Sequence, residues 1–207
     1  GALREGVIYD LLGRIRHEDV RDRSIAAVTS RYGLDEAQAE RVSATALELL
    51  GQVREGWRLA TDDRGRILEW AARLYEIGLL LSHNDYHKHG AYILEHADLP
   101  GFSRDDQMVL AALVRRHRRS FPADAFVHLP REWTQPARRL CVLLRLAVVL
   151  HRGRSRQPMP PLTLVANQQR LELRFPAGWL EEHPLTRADL EAEARYLRKA
   201  GVRLEFG

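Results

Sequence analysis

Four histidines, His83, His87, His89 and His117, stand among Lys88, Arg115, Arg116, Arg118 and Arg119. Two chemistries suit such a set. Imidazoles joined by carboxylates hold a divalent ion. Imidazoles joined by guanidinium groups grip an anion, because the planar fork of arginine matches phosphate oxygens two at a time. Only five carboxylates lie between Ser82 and Ser120, and they fall mostly away from the basic residues. None is spaced to complete a metal site with His83, His87 and His117. The pattern therefore points to a polyanion held by charge, with His83, His87, Lys88, His89, Arg115, Arg116, His117, Arg118 and Arg119 as the binding residues.

The elements that must position them read as helices. Ile25, Val28 and Tyr32 recur at helical spacing in a segment that Gly33 ends, and Val7, Ile8, Leu11, Leu12 and Ile15 do so before it. Asp35 is placed to cap a helix over Glu36–Val53. A further helix opens at Asp62 or Asp63. Asn84 or Asp85 opens another that runs through Glu95, and Pro100-Gly101 stops the chain beyond it. His87-Lys88-His89 then falls in a first helical turn, where free backbone N–H groups favour anions. Ser103 and Asp106 form a capping box for Arg104–His117. Cations at that helix's end offset its exposed carbonyls, which accounts for one or two arginines but not four. The last helix is expected over Gln135–Arg152. A basic, proline-rich linker (Arg152–Pro161) follows. Beyond it Leu162–Val165 and Arg170–Phe175 form a hairpin, Arg187–Ala200 a helix and Val202–Phe206 a third strand. The expectation is a mainly α protein: a helical bundle over 1–152 and a small α+β (ββαβ) domain over 153–207. So small a unit buries little core and should lean on the bundle or on a partner.

Net charge is +4 and nearly all the positive charge is arginine, an excess that a GC-rich genome also produces. A single cysteine, Cys141, excludes an internal disulfide and lies in an apolar run, as an inert buried thiol would. No apolar run approaches the length of a membrane span. Arg4, Glu5, Asp10 and Arg14 interrupt any secretory signal. A cytoplasmic, soluble protein is expected.

Seven words in this chain resemble the C-terminal half of the exopolyphosphatase/guanosine-pentaphosphate phosphohydrolase (Ppx/GppA) family. They are Ala2–Gly6 (ALREG), Leu11–Arg21 (LLGRIRHEDVR), Tyr75–Gly78 (YEIG), Tyr86–Leu94 (YHKHGAYIL), Leu99–Phe102 (LPGF), Val114–Arg118 (VRRHR) and Leu144–Leu150 (LRLAVVL). Their order and spacing follow the family almost end to end. The resemblance implies that a phosphatase region of two actin-like domains precedes the first word and carries the catalytic carboxylate, the phosphate loops and the magnesium of the full-length enzyme. It implies a homodimer in which the C-terminal part binds and guides inorganic polyphosphate. The parent would be an exopolyphosphatase or, as the alternative, a guanosine-pentaphosphate phosphohydrolase acting on (p)ppGpp. This chain alone would bind polyphosphate without hydrolysing it and would contain no catalytic residue.

A bundle of this kind also resembles the His-Asp metal phosphohydrolase fold, in which His and Asp side chains hold an ion that activates water. Here Gln38 stands at the first ligand position, Tyr75-Glu76 at the pair and Val148 at the last. Glu76 is the one candidate metal ligand left, and a salt bridge to Arg73 or Arg145 is the simpler account of it. Two further readings use other features. Non-specific nucleic-acid binding is disfavoured, since only Tyr86 and Tyr92 lie near the histidines and single-strand binders stack bases on aromatic rings. A dimerisation module would use Trp57 and Trp179 as anchors, with Trp70 in the core and Trp133 as a further candidate.

Overall fold

The structure, a computed structural model, describes residues 20–207, except for the side chain of Asp62. The ALREG word and the helix expected around Val7, Ile8, Leu11, Leu12 and Ile15 lie outside the described residues. Helix α1 covers 20–31 and ends through Gly33, whose φ of +59° suits a residue without Cβ. Helix α2 (Glu36–Val53) starts where Asp35 accepts the N–H of Gln38 at 3.0 Å. Helices α3 (Asp62–Leu74), α4 (Tyr86–His96) and α5 (Arg104–Arg116) follow, and the Ser103/Asp106 capping box is formed in full.

Helix α6 (Arg131–Leu150) begins four residues before the expected Gln135, with Pro136 inside it. Proline has no N–H, so the carbonyl of Glu132 loses its helical donor. The Arg64 guanidinium replaces that donor at 3.0 Å while lying 3.8 Å over the ring of Trp133. From Leu140 to Leu150 every residue of α6 is buried. It packs on α2, α3 and α5, and α4 packs on α5.

A ββαβ unit follows, as expected, with one added turn. Strands β1 (Thr163–Ala166) and β2 (Arg170–Arg174) are antiparallel, and β3 (Arg203–Phe206) lies parallel to β2 on its other side. The short turn α7 (Trp179–Glu182) precedes α8 (Pro184–Lys199), which starts earlier than expected because Pro184 suits a first helical position. The buried residues Leu164, Leu171, Leu173 and Leu204 share one face of the sheet. The unit leans on the bundle: α8 meets α6, β1 meets α2, and one apolar core runs through both parts. Gln52 of α2 acts as a strand at the sheet edge, its amide accepting from the N–H of Leu164 at 2.7 Å and donating to Leu162 O at 3.1 Å. Among the described residues no helix is long and apolar enough to cross a membrane.

Two glycines set how closely α4 approaches the turn after α3. A Cβ on Gly78 would lie 2.1 Å from the Tyr86 carbonyl oxygen and 2.6 Å from the Gly90 nitrogen. One on Gly90 would meet Ile77 Cγ2 at 2.9 Å. The first obstacle is backbone and cannot rotate away. Gly78→Ala should therefore cost on the order of 3 kcal/mol, the upper part of the overpacking range, read as a lowered denaturant midpoint. Gly153→Ala, with open space around it, should leave the midpoint in place.

Candidate functional site

The beginning of α4 and the loop after α5 come together on one face. Asp85 stands at the N-cap of α4 without a side-chain capping bond. Its carboxylate instead meets Lys88 Nζ at 3.1 Å and Arg119 at 3.7 Å. Hydrogen bonding and charge from Lys88 and charge from Arg119 hold the Asp85 carboxyl below its usual range. The Arg118 guanidinium lies 4.5 Å over the Tyr86 ring and donates to the His83 carbonyl at 3.5 Å. Thus His83, Lys88, Arg118 and Arg119 form one cluster, with His89 half-buried beside them.

Two of the nine expected donors lie beneath that surface. His117 is 1% exposed, with Nδ1 2.6 Å from Val114 O and Nε2 3.2 Å from the Tyr86 hydroxyl. A carbonyl can only accept, so the proton sits on Nδ1 and Nε2 accepts from Tyr86. His87 is also buried, and its Nδ1 has no hydrogen-bond partner among the described residues. Burial lowers His117 to about 3 and His87 to about 4, with nearby arginines adding to both. At neutral pH both are uncharged and cannot serve as cationic donors; they support the Tyr86 platform from inside. Arg115 and Arg116 point elsewhere. They line a cavity of about 290 Å³ with His128, where Glu95 and Asp124 supply opposing charge.

Arg145 holds the loop that presents Arg118 and Arg119. It has no exposed surface and forms a two-pronged ion pair with Glu193 of α8, at 2.5 and 3.1 Å. Its remaining donors reach the carbonyls of Arg116 and of Arg119, the latter at 2.8 Å. Arg119 takes a left-handed backbone, φ +57°, that turns this carbonyl inward. The rings of Phe121 and Tyr196 lie 5.0 and 5.6 Å from the guanidinium.

The positions that the resemblance assigned to metal ligands also meet, with other chemistry. Gln38 is buried and donates to the Tyr75 hydroxyl at 3.3 Å and to His151 O at 2.8 Å. Its amide oxygen accepts from Arg41 at 2.8 Å. His151 Nε2 lies 2.7 Å from Thr45 Oγ1, and burial lowers the imidazole to about 4. Burial, then the nearby Glu76, pushes the Tyr75 hydroxyl up. Val148 is buried. Glu76 does pair with an arginine, but neither expected partner is correct. The linker residue Arg154, left-handed at φ +51°, bridges Glu76 and Asp35, the second at 2.9 Å. Arg73 turns instead to Glu40 and Glu69, and Arg145 to Glu193. Glu76 lies beyond the end of α3, in a turn facing the linker, which helical spacing could not show. Among the described residues no three His, Cys, Asp or Glu side chains gather as a metal site. The Cys141 thiol is buried and pushed up to about 12. Trp57, expected at an interface, is buried and donates to Asn167 O at 2.8 Å, fastening the hairpin to the bundle. Trp70 is in the core, as expected.

The family model for Ppx/GppA phosphatase, domain III, matches residues 20–194. The chain belongs to the Ppx/GppA phosphatase family. Curated relatives bear the name guanosine-5'-triphosphate,3'-diphosphate pyrophosphatase. One from Pseudoalteromonas translucida is 36% identical over 99% of this chain and 41% of its own length. One from Aeromonas hydrophila is 38% identical over 97% and 40%, and one from Vibrio vulnificus 38% over 94% and 39%. The chain thus spans about two fifths of these Ppx/GppA relatives and corresponds to their C-terminal part.

Two outcomes follow from the buried groups. Glu193→Leu should cost about 3–5 kcal/mol by leaving Arg145 buried and unpaired, and adding Arg145→Met should recover most of that in the same denaturant titration. His87, His117 and His151 have folded pKa values below the unfolded 6.5, so the folded form favours the neutral ring. Their contribution to stability is complete above pH 6.5 and is lost as pH falls toward 4. Unfolding at pH 5 should take up protons, detectable as a midpoint that falls with pH and flattens in His117→Phe.

Proposed function

We propose that this chain is the C-terminal part of a phosphoanhydride hydrolase that removes phosphate from guanosine pentaphosphate. The observation that carries this reading is the 36–38% identity, over nearly the whole chain, to proteins named for that substrate. The role proposed for the chain itself is to hold the polyphosphate arm of an anionic substrate by charge. The cations Lys88, Arg118 and Arg119 supply donors on one face, with the His83 and His89 imidazoles near them in the chain, and Arg115 and Arg116 supply donors on another. The buried pair His87 and His117 positions Tyr86, on which Arg118 lies. Such a grip reads charge and no base, and it weakens steeply with salt. Catalysis and magnesium are proposed to lie in the remainder of the full-length protein, since this chain spans about two fifths of its relatives and Glu76 is engaged by Arg154. Homodimerisation and a cytoplasmic location belong to the same proposal.

Long inorganic polyphosphate is the second reading. It is favoured by the division of the cations between two faces, since a long polymer can engage both and a single nucleotide cannot. Phosphate release by the full-length protein, measured with magnesium, discriminates them. Guanosine pentaphosphate should be the better substrate by kcat/KM, and a preference for long polyphosphate would transfer the assignment to the second reading. The 207-residue chain should bind polyphosphate without releasing phosphate. Lys88→Ala with Arg118→Ala should weaken that binding and reduce its salt slope by about 2, one per lost phosphate contact; an unchanged slope would remove this face from the proposal.

A further inference from the structure

The linker after α6 and the beginning of α8 enclose a cavity of about 540 Å³, within the size range of small-ligand sites. Its walls are of two kinds. Met159, Trp179, His183 and Leu185 give an apolar and aromatic side, while Ser155 and Glu182 give polar groups. Phe175, Trp179 and His183 form a pile of parallel rings, with centroid distances of 5.0 and 3.9 Å and interplanar angles of 6° and 12°. Trp179 lies between the other two, and both Trp179 and His183 line the cavity, whereas Phe175 does not. The His183 ring is locked there by a 2.7 Å contact from Nδ1 to Trp179 O. A further flat ring would extend the pile.

The polar groups narrow the choice of ring. Glu182 offers acceptors only. The first turn of α8 offers donors: the backbone N–H groups of Leu185 and Thr186 have no acceptor among the described residues. Guanine presents two adjacent donors, N1–H and the exocyclic amine, beside the acceptor O6. That pattern pairs the donors with a carboxylate and O6 with helix N–H groups. Adenine presents a bare N1 in the same place, which a carboxylate repels. Gly153, Ser155 and Gln157 line the cavity, and Arg152, Arg154 and Arg156 alternate with them in the chain without lining it. Arg152 and Arg154 are held in ion pairs with Asp189 and with Glu76 and Asp35, whereas the exposed Arg156 has no partner among the described residues.

We infer that this cavity binds a guanine nucleotide, with the base stacked on His183 and read by Glu182, and the phosphates directed toward the exposed Arg156 beside the lining. The inference rests on the proposed substrate only for the number of phosphates; the base preference comes from the lining. Calorimetric titration of the 207-residue chain with GTP, ATP and inorganic tripolyphosphate tests it. GTP should bind saturably and about ten-fold tighter than either competitor, the scale of one stacked and hydrogen-bonded base. His183→Ala should weaken GTP about ten-fold and leave tripolyphosphate unchanged. Glu182→Gln, a change at an exposed side chain that the fold tolerates, should remove most of the preference for GTP over ATP. Equal binding of GTP and tripolyphosphate, or unaltered GTP affinity in both variants, would overturn the inference. Because the readout is binding by this chain, it stands or falls separately from hydrolysis by the full-length protein.

Discussion

Arg145 carries a charge into the middle of the protein, and two separate stretches of chain are organised by the need to satisfy it. Glu193 comes from α8, two carbonyls come from the segment that ends α5, and the rings of Phe121 and Tyr196 close the sides. A guanidinium has five N–H donors, and in a low-dielectric interior an unpaired one is expensive. Satisfying them fixes the seating of the ββαβ unit on the bundle. It also fixes the backbone that offers Arg118 and Arg119 to solvent. The surface chemistry proposed for this chain therefore depends on a contact that makes no approach to any ligand.

The polar network around Gln38 fills the positions that the resemblance assigned to metal ligands with hydrogen bonds and an ion pair. An amide, a phenol and a carboxylate occupy neighbouring positions, and a guanidinium from the linker stands opposite the carboxylate. The cation is supplied by the chain itself. This ties the linker to α2 and to the turn after α3, so the segment that walls the cavity beside α8 is anchored on its other side by Arg154.

Much of the architecture was legible in the residues, because local signals and tertiary packing agree there. Asp35, the Ser103/Asp106 box and Gly33 each act through their immediate neighbours, and the elements they bound lie where the spacing predicts. The errors arose where a distant partner decided. The expected start of the last helix at Gln135 misses the turn from Arg131, where the distant Arg64 serves the Glu132 carbonyl that Pro136 leaves without a donor. Trp57 near a segment end reads as an interface anchor until the hairpin carbonyl of Asn167 is seen to receive its N–H. His87 and His117 look like part of a basic run, yet helical geometry turns both inward while their neighbours face out. No pattern in the sequence joins Glu76 to Arg154, since the left-handed turn that brings them together is not at a glycine.

The substitution of Arg64 for a backbone donor makes positions 64 and 136 interdependent although they sit on different helices. With proline in place, loss of the arginine leaves the Glu132 carbonyl to solvent. With an ordinary residue at 136, the helix would reclaim that oxygen and release the arginine to stack on Trp133 alone. Each residue is thus neutral or costly according to the other's identity, and lineages that change one are expected to tolerate a change in the second.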